Sequence, residues 1–254
     1  MNVEDFLEKQ FGMEKALVVS RGNEGIEIAL KVVKSLTEKK VLLIPDQGGW
    51  ISYPKIAKKL GFEIRELKTD RGVIILDWLE KNLDGVAAAL FTGFAGYYAE
   101  QPVDKIIKIC KENNVVVVND VSGCFGSDLC KGDFLVGSFG KGKIVNYGNY
   151  GMVCSNFLKK SLQKSVEYDF KLINYVKDAN QRLNNLMVLA ERVKSELVNF
   201  DVFHREKRGV NVIVGYDERV IGYCNKKGYE YVICPKSFKV NEKAISIELK
   251  RLDV

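Results

Sequence analysis

A carboxylate and a lysine in the middle of the chain have the types and spacing for chemistry on a bound cofactor. Asp120 closes an apolar run that begins at Val115, and Lys143 ends a Gly-rich stretch that begins at Gly137. Pyridoxal phosphate (PLP) requires such a pair: a lysine amine forms a Schiff base with the cofactor aldehyde, and a carboxylate keeps the pyridine nitrogen protonated. The pair therefore predicts PLP as cofactor, with Lys143 and Asp120 as catalytic residues.

A possible phosphate site lies near the N-terminus, in the stretch 20–25 between an apolar run and an amphipathic one. Free backbone N–H groups and the helix dipole at such a turn can hold a phosphate. Gly22 permits close approach of the backbone, and Asn23 can cap the helix. An ordinary N-capped turn explains the same residues, so this alternative stays open.

The Gly-rich stretch that ends at Lys143 also resembles a nucleotide-binding P-loop. The residue after the lysine is Ile144, where Mg²⁺ binding requires Ser or Thr, and the segment 145–151 is a poor helix former. The P-loop interpretation therefore lacks its required context. The chain also has no Gly-x-Gly-x-x-Gly motif, which weakens a dinucleotide-binding alternative.

An aromatic side chain, Trp50, follows the apolar run that ends at Pro45. It could cover one face of the pyridine ring. A core or interface tryptophan is an equally good interpretation of this residue.

The first two-thirds of the chain alternates apolar runs with amphipathic stretches. This order predicts a three-layer α/β fold with a mostly parallel sheet, whose strand carboxyl ends carry the ligand site. Ser20, Thr92 and Asp120 fall at such ends. The predicted strands cover residues 16–20, 41–45, 62–67, 86–92, 115–119 and 134–136, and the predicted helices cover 26–33, 53–60 and 103–111.

The pattern changes after residue 156. We predict a PLP-binding large domain over 1–156, a connecting helix or pair of helices over 157–199, and a small α+β C-terminal domain over 200–254. The predicted strands of the small domain are 209–214, 231–234 and 244–249.

Composition limits the other classes of function. The 254 residues carry a net charge of +6, but the lysines are dispersed, which favours solvated helix faces over a nucleic-acid footprint. No apolar run has the length of a membrane span, and the N-terminus does not read as a signal peptide, so we expect a cytoplasmic protein. The six cysteines form no Cys-x-x-Cys pair and His204 is the only histidine, so no zinc or other metal site is predicted.

Taken in order, these segments resemble the fold-type I PLP enzymes, and within them the DegT/DnrJ/EryC1 group of sugar aminotransferases. The similarity covers roughly residues 10 to 190. The matching segments are Arg21-Gly22-Asn23-Glu24, Ile44-Pro45, Glu100-Gln101-Pro102, Asp120-Val121-Ser122-Gly123 and Ser138-Phe139-Gly140-Lys141-Gly142-Lys143.

The resemblance implies roles for individual residues. The cofactor-binding residues it implies are Gly22, Asn23, Glu24, Trp50, Asp120, Ser122, Ser138, Lys143 and Asn174. Among these, Ser138 is a phosphate ligand, and Asn174 reaches the cofactor of a neighbouring subunit, which implies a homodimer. Lys141 is a second, weaker candidate for the Schiff-base lysine. The chain departs from the group at Gly123, at Asn149-Tyr150 and at Val176.

The implied activity is that of an aminotransferase acting on a small amino or keto substrate through an internal aldimine at Lys143. Arg205, Arg208 and Arg251 are candidates for holding a substrate carboxylate. A PLP-dependent lyase, or a selenocysteine or cysteine synthase-like protein, is the second interpretation, although His204 is poorly placed to stack on the cofactor. A non-catalytic protein that keeps the fold is the third, because the C-terminal domain is shorter than in complete members.

Overall fold

The fold was analysed in a computed structural model, which describes residues 1–158, 164–236 and 239–253. The helices are α1 (Val3–Phe11), α2 (Gly22–Leu36), α3 (Tyr53–Lys59), α4 (Leu76–Lys81), α5 (Val103–Glu112), α6 (Leu172–Glu196) and α7 (Glu218–Lys227), with a 3₁₀ turn at Leu249–Arg251. The strands are β1 (Ala16–Val19), β2 (Val41–Pro45), β3 (Glu63–Leu67), β4 (Thr69–Asp70), β5 (Val73–Ile74), β6 (Val86–Thr92), β7 (Phe94–Ala95), β8 (Ala99–Glu100), β9 (Val116–Asp120), β10 (Phe134–Ser138), β11 (Gly151–Ser155), β12 (Val212–Gly215), β13 (Tyr231–Cys234) and β14 (Ala244–Ile247).

Seven strands form the central sheet in the order β1-β11-β10-β9-β6-β2-β3. Strands β10, β9, β6, β2 and β3 run parallel to one another, whereas β11 is antiparallel to both of its neighbours, β1 and β10. The predicted mostly parallel α/β sheet is confirmed. Strand β11 was not predicted from the sequence. It begins at the end of the segment 145–151, which had been described only as a poor helix former.

Helices cover both faces of this sheet and make the three predicted layers. Alternate side chains of the strands point to opposite faces, so each strand feeds two separate cores. Leu90 of β6, for example, packs on the side of α2 and α3, whereas its neighbour Phe91 packs on the side of α1, α4, α5 and α6. Apolar side chains at nearly every strand position make this double burial possible.

The register of the sheet brings the carboxyl ends of the parallel strands to one edge. Thr92 at the end of β6 is paired with Asp120 at the end of β9, and Asp120 is paired with Val136 of β10. Because β11 is antiparallel, its first residue, Gly151, lies at the same edge and is paired with Ser138. One edge therefore collects residues that are far apart in sequence.

The C-terminal part forms a three-stranded antiparallel sheet in the order β12-β14-β13. The long helix α6 leads into it, and α6 and α7 contribute to the core on one of its faces. The predicted connecting helix is a single helix that begins at Leu172, since residues 164–171 are not helical and 159–163 lie outside the described part. Helix α7 was not predicted, and the domain boundaries remain predictions.

None of the helices in the described ranges combines the length and the apolar character that crossing a membrane requires.

Candidate cofactor site

A cavity of about 340 Å³ opens at the edge where the strand carboxyl ends meet. It has the volume range of small-molecule sites in proteins. The lining includes seven of the predicted site residues, namely Gly22, Asn23, Trp50, Asp120, Ser122, Ser138 and Lys143. We call it the cofactor cavity.

Asp120 is a buried carboxylate with two donors fixing its orientation. The hydroxyl of Tyr53 donates to Oδ2 over 2.8 Å, and the backbone N–H of Ser122 donates to Oδ1 over 3.0 Å. Tyr53 lies on the first turn of α3 and is fully buried. Burial and the charge of Asp120 raise the pKa of the Tyr53 hydroxyl well above its ordinary value, so this group stays a donor.

Lys143 extends its amine between two aromatic rings. The Nζ atom lies 5.0 Å from the centroid of the Trp50 ring and 4.6 Å from that of Tyr97, and it donates a hydrogen bond to the Tyr97 hydroxyl. Burial lowers the pKa of the Lys143 ammonium group, and the charge of Asp120 acts against this shift. A lowered pKa increases the fraction of neutral, nucleophilic amine at neutral pH.

The turn before α2 packs directly on the end of β10. A Cβ atom on Gly22 would lie 2.8 Å from Cβ of Ser138, and one on Gly151 would lie 2.7 Å from the nitrogen of Gly22. Ser122, just after β9, is tied to the same end of β10, because its hydroxyl accepts a hydrogen bond of 2.8 Å from the Ser138 N–H. Glycine at position 22 is thus required by the close approach of the two backbones, and α2 begins at the cavity wall.

Asn23 and Trp50 form one wall of the cofactor cavity. The expected helix cap by Asn23 is corrected: α2 begins at Gly22, its N-cap is Arg21, and no side chain caps it. Instead, Oδ1 of Asn23 accepts a hydrogen bond of 2.9 Å from the indole N–H of Trp50, and Nδ2 donates to Ser52. Asn23 therefore orients the aromatic side chain that faces Lys143.

Two predicted cofactor ligands lie outside the cavity lining. The carboxylate of Glu24 accepts hydrogen bonds from the backbone N–H and the hydroxyl of Ser20, at 2.8 and 2.6 Å, so it closes the turn locally. Asn174 is exposed on the first turn of α6. The resemblance assigns it to the cofactor of a neighbouring subunit, which a single chain does not test.

The arginines proposed for a substrate carboxylate have different surroundings. Arg205 donates to carbonyl groups at the end of α6, among them that of Lys194 at 2.7 Å. Arg208 pairs with Glu100 at 2.7 Å and with Asp128 at 3.1 Å. Both already have protein partners, and neither lines the cofactor cavity. The structure therefore does not support them as the groups that hold a substrate carboxylate.

Arg251 lies beside the cofactor cavity, in a second cavity that shares Lys143 with it. The predicted second lysine, Lys141, also lines that neighbouring cavity and not the first. His204 stacks on Tyr98 with its ring nitrogen 2.9 Å from the carbonyl of Asp70, so it is not among the cavity residues.

Three tyrosines at this site, Tyr53, Tyr97 and Tyr150, were not predicted as site residues from the sequence. Tyr97 and Tyr150 line the cavity and have positive φ angles of 71° and 68°. Tyr97 occupies space that Gly123 leaves open, because a Cβ there would lie 2.6 Å from the tyrosine ring. The departure Gly123 was noted from the sequence, but nothing in the sequence indicated which side chain fills that space.

The residues present fit PLP. A buried carboxylate, a half-buried amine with a lowered pKa and a tightly packed glycine turn at a helix N-terminus meet in one cavity. These groups are suited to a pyridine nitrogen, an aldehyde and a phosphate, respectively.

The sequence matches the model of the DegT/DnrJ/EryC1/StrS aminotransferase family over residues 2–187. The chain belongs to this family. No curated protein matches it in sequence. The resemblance inferred from the sequence motifs is thereby confirmed.

Solved structures share the fold of this DegT/DnrJ/EryC1 family member. DndA from Streptomyces lividans superposes with a TM-score of 0.75 at 13% identity, covering 95% of this chain and 85% of that one. An aminotransferase from Psychrobacter cryohalolentis gives 0.71 at 13% identity, with 96% and 84% coverage. 3-Amino-5-hydroxybenzoic acid synthase gives 0.69 at 13% identity, with 97% and 84% coverage.

Proposed function

We propose that the chain is a PLP-dependent aminotransferase-like enzyme that acts on a small amino or keto substrate, with Lys143 as the residue that attaches the cofactor. The observation that carries the proposal is the convergence of Asp120 and Lys143 on one cavity beside the Gly22 turn. The aminotransferase family match over residues 2–187 supports the reaction class.

PLP, when bound, would supply an electron sink that stabilises negative charge at the substrate carbon. The Gly22 turn and Ser138 would hold its phosphate, and Asp120 would accept a hydrogen bond from the protonated ring nitrogen. Tyr53 and the Ser122 N–H keep that carboxylate in place. The Asn23–Trp50 wall would limit the position of the ring and exclude water from one of its faces.

Lys143 would be the base that moves the proton. Burial lowers its ammonium pKa, which favours the neutral amine that a proton-accepting base requires. Tyr97 holds the Nζ atom through its hydroxyl while the amine is not engaged elsewhere. The position of the amine between two aromatic rings restricts the directions from which it can reach a substrate.

Absorbance spectroscopy tests the assignment of the lysine. Purified chain mixed with PLP should develop a band near the edge of the visible range that borohydride abolishes, and mass spectrometry should find the reduced cofactor on the peptide with Lys143. Lys143→Ala should abolish both signals, whereas the matched variant Lys141→Ala should retain them. A band and adduct that persist in Lys143→Ala would refute the assignment, and wild type without any PLP binding would refute the cofactor.

The same preparation distinguishes an enzyme from a binding protein. Addition of amino acids should convert the absorbance band if the chain carries out the first half of transamination. A PLP band that no amino donor converts would favour the non-catalytic alternative.

A homodimer also remains a proposal. The exposed aromatic residues Phe170 and Tyr175, at 79% and 46% exposure, flank Asn174 and offer a surface that a second copy could cover. This location is compatible with the role that the resemblance assigns to Asn174.

A further inference from the structure

A second cavity, which we call the lysine chamber, adjoins the cofactor cavity. It has a volume of about 680 Å³ and shares Trp50, Tyr97 and Lys143 with the cofactor cavity. Most of its remaining lining is charged, with Lys141, Lys239, Lys250, Arg251, Glu230, Glu248 and Asp253. A molecule that reacts at Lys143 would therefore be next to a wall supplied by the C-terminal domain.

Alternation along β14 and the residues after it explains how this wall forms. Ile245, Ile247 and Leu249 pack in the core that α6 and α7 share. Glu248, between Ile247 and Leu249, points away from this core and pairs with Lys239, and the 3₁₀ turn at Leu249–Arg251 places Lys250 beside the large domain. There, the Lys250 amine lies 4.9 Å from the centroid of the Tyr97 ring.

A buried ion triad stands at the base of the chamber. Glu248 pairs with Lys239 at 2.7 Å and with Lys250 at 3.3 Å, and the three residues are 2%, 1% and 8% exposed, respectively. Burial alone would raise the pKa of Glu248, but the two ammonium groups outweigh it and lower this pKa to about 2. Burial lowers the pKa of Lys239 to about 8, and the charge of Glu248 acts against this shift.

The triad carries two positive charges and one negative charge. Arg251 at the chamber wall also lies 4.0 Å from the Glu248 carboxylate and pairs with the exposed Glu230, so the Glu230 carboxylate offsets the charge of Arg251 and not that of the triad. Excess charge in a poorly solvated site is unfavourable, and an anion that enters the site offsets it. Across all described lining residues other than Lys143, four cationic groups face three carboxylates, which again leaves an excess of one positive charge.

We propose that the lysine chamber binds an anionic group of the substrate, a carboxylate or a phosphate, and that Lys250 is the residue that contacts it. This inference rests on the proposed function of Lys143. Lys250 is favoured over Lys239, which is more deeply buried and also donates to the carbonyl of Gly96 at 3.3 Å. The Lys143 and Lys250 amines lie 4.6 and 4.9 Å from the centroid of the same Tyr97 ring, so an anion held by Lys250 would be close to the residue that attaches the cofactor.

Calorimetric titration of the full chain saturated with PLP tests this assignment, with succinate and methylphosphonate as unreactive probes. We expect saturable binding of at least one probe, and the one that binds identifies the carboxylate or the phosphate class. Lys250→Gln should raise its dissociation constant at least about tenfold, since it removes a charged partner from a buried site. Lys250→Arg should stay within about threefold of wild type, because the charge is kept. Lys243→Gln, at an exposed lysine near the start of β14, is the matched control and should bind as wild type.

A second measurement does not depend on the folding of a variant. Acetylation of wild-type lysines by acetic anhydride, followed by mass spectrometry, should be slowed at Lys250 by a saturating probe and unchanged at Lys243. Failure of both probes to bind, equal affinities in wild type and Lys250→Gln, or unaltered acetylation of Lys250 would each overturn the proposal.

Repeating the titration without PLP separates this inference from the proposed function. Apart from Lys143, the charged residues of the chamber do not line the cofactor cavity. The increase in the dissociation constant caused by Lys250→Gln should therefore persist without PLP. A chain that binds no PLP but binds succinate through Lys250 would refute the cofactor and leave the anion site standing.

Discussion

The cofactor cavity and the lysine chamber are neighbours that use different physical means. In the cofactor cavity, strand ends and glycine turns fit closely, and one carboxylate, Asp120, is held by neutral donors. In the lysine chamber, charges within a short segment of the C-terminal domain face one another at low exposure. The cofactor cavity is therefore defined mainly by shape and strand register, and the lysine chamber mainly by unbalanced charge.

The two regions should therefore differ in how much stability a single substitution removes. A hydrogen bond or a close packing contact contributes about 1 to 3 kcal/mol, whereas removal of one partner from a buried ion group leaves an uncompensated charge and costs more. The chamber should therefore lose more stability for a single isosteric change than the cavity does.

The largest effect is expected from Glu248→Gln, which leaves Lys239 and Lys250 facing each other without their carboxylate. We expect a loss of about 3 to 5 kcal/mol in the free energy of unfolding at pH 7, measured by urea denaturation. The folded-state pKa of Glu248, about 2, lies below its ordinary value of 4.5, so its contribution is complete above that value and is lost as the pH falls towards 2. The difference between wild type and variant should accordingly shrink in acid.

The control for this experiment is Glu230→Gln, which breaks an ion pair whose carboxylate side chain is 63% exposed. Surface pairs contribute up to about 1 kcal/mol, so this change should be small. Equal losses of unfolding free energy in Glu248→Gln and Glu230→Gln would show that burial does not strengthen the ion pairs of the chamber. The proposed difference between the two regions would then be wrong.

A smaller effect is expected from Tyr53→Phe, which lies behind Asp120 of the cofactor cavity. The change removes the 2.8 Å hydrogen bond to Asp120 inside a fully buried site, at an expected cost of about 2 kcal/mol. Chemical denaturation measures this loss, and Tyr175→Phe at an exposed position should stay within about 0.5 kcal/mol. A loss above that of Glu248→Gln would reverse the ranking of the two regions.

The smallest loss of stability is expected from Gly22→Ala, which forces a new Cβ against Ser138 at 2.8 Å. Displacement of the turn should cost about 1 to 2 kcal/mol, as overpacking does, and PLP should bind about tenfold more weakly in an absorbance titration. Succinate binding to the chamber should not change, which would separate the two regions functionally.

Gly222→Ala on α7 provides the matched control, because nothing lies within 4 Å of the added methyl group. Removing a helical glycine should leave stability equal or up to about 1 kcal/mol higher. If Gly22→Ala bound PLP as tightly as this control, the Gly22 turn would not be the phosphate site.

Local pattern was sufficient for most of the large domain. Apolar runs of strand length between amphipathic stretches predicted the parallel strands and their helices, and the antiparallel β11 was missed because its sequence adjoins a run of glycine and tyrosine residues. The side-chain roles of Asn23 and Glu24 were not predictable in the same way. Each has several possible partners within a few ångströms, and tertiary packing selected Trp50 for one and Ser20 for the other.

The sequence alone predicted that Asp120, at the end of one strand, and Lys143, in the loop after the next strand, lie at one edge of the sheet. The period of the apolar residues defines the strands, and parallel strands end at one edge. The sequence also determined the family, through motifs within that region. Two contacts became visible only in the tertiary structure: the Tyr97 hydroxyl accepts a hydrogen bond from the Lys143 amine, and the Lys250 amine faces the same ring. Those contacts join segments that are dozens of residues apart, and their distances depend on how the C-terminal sheet packs on the large domain, which no local period encodes.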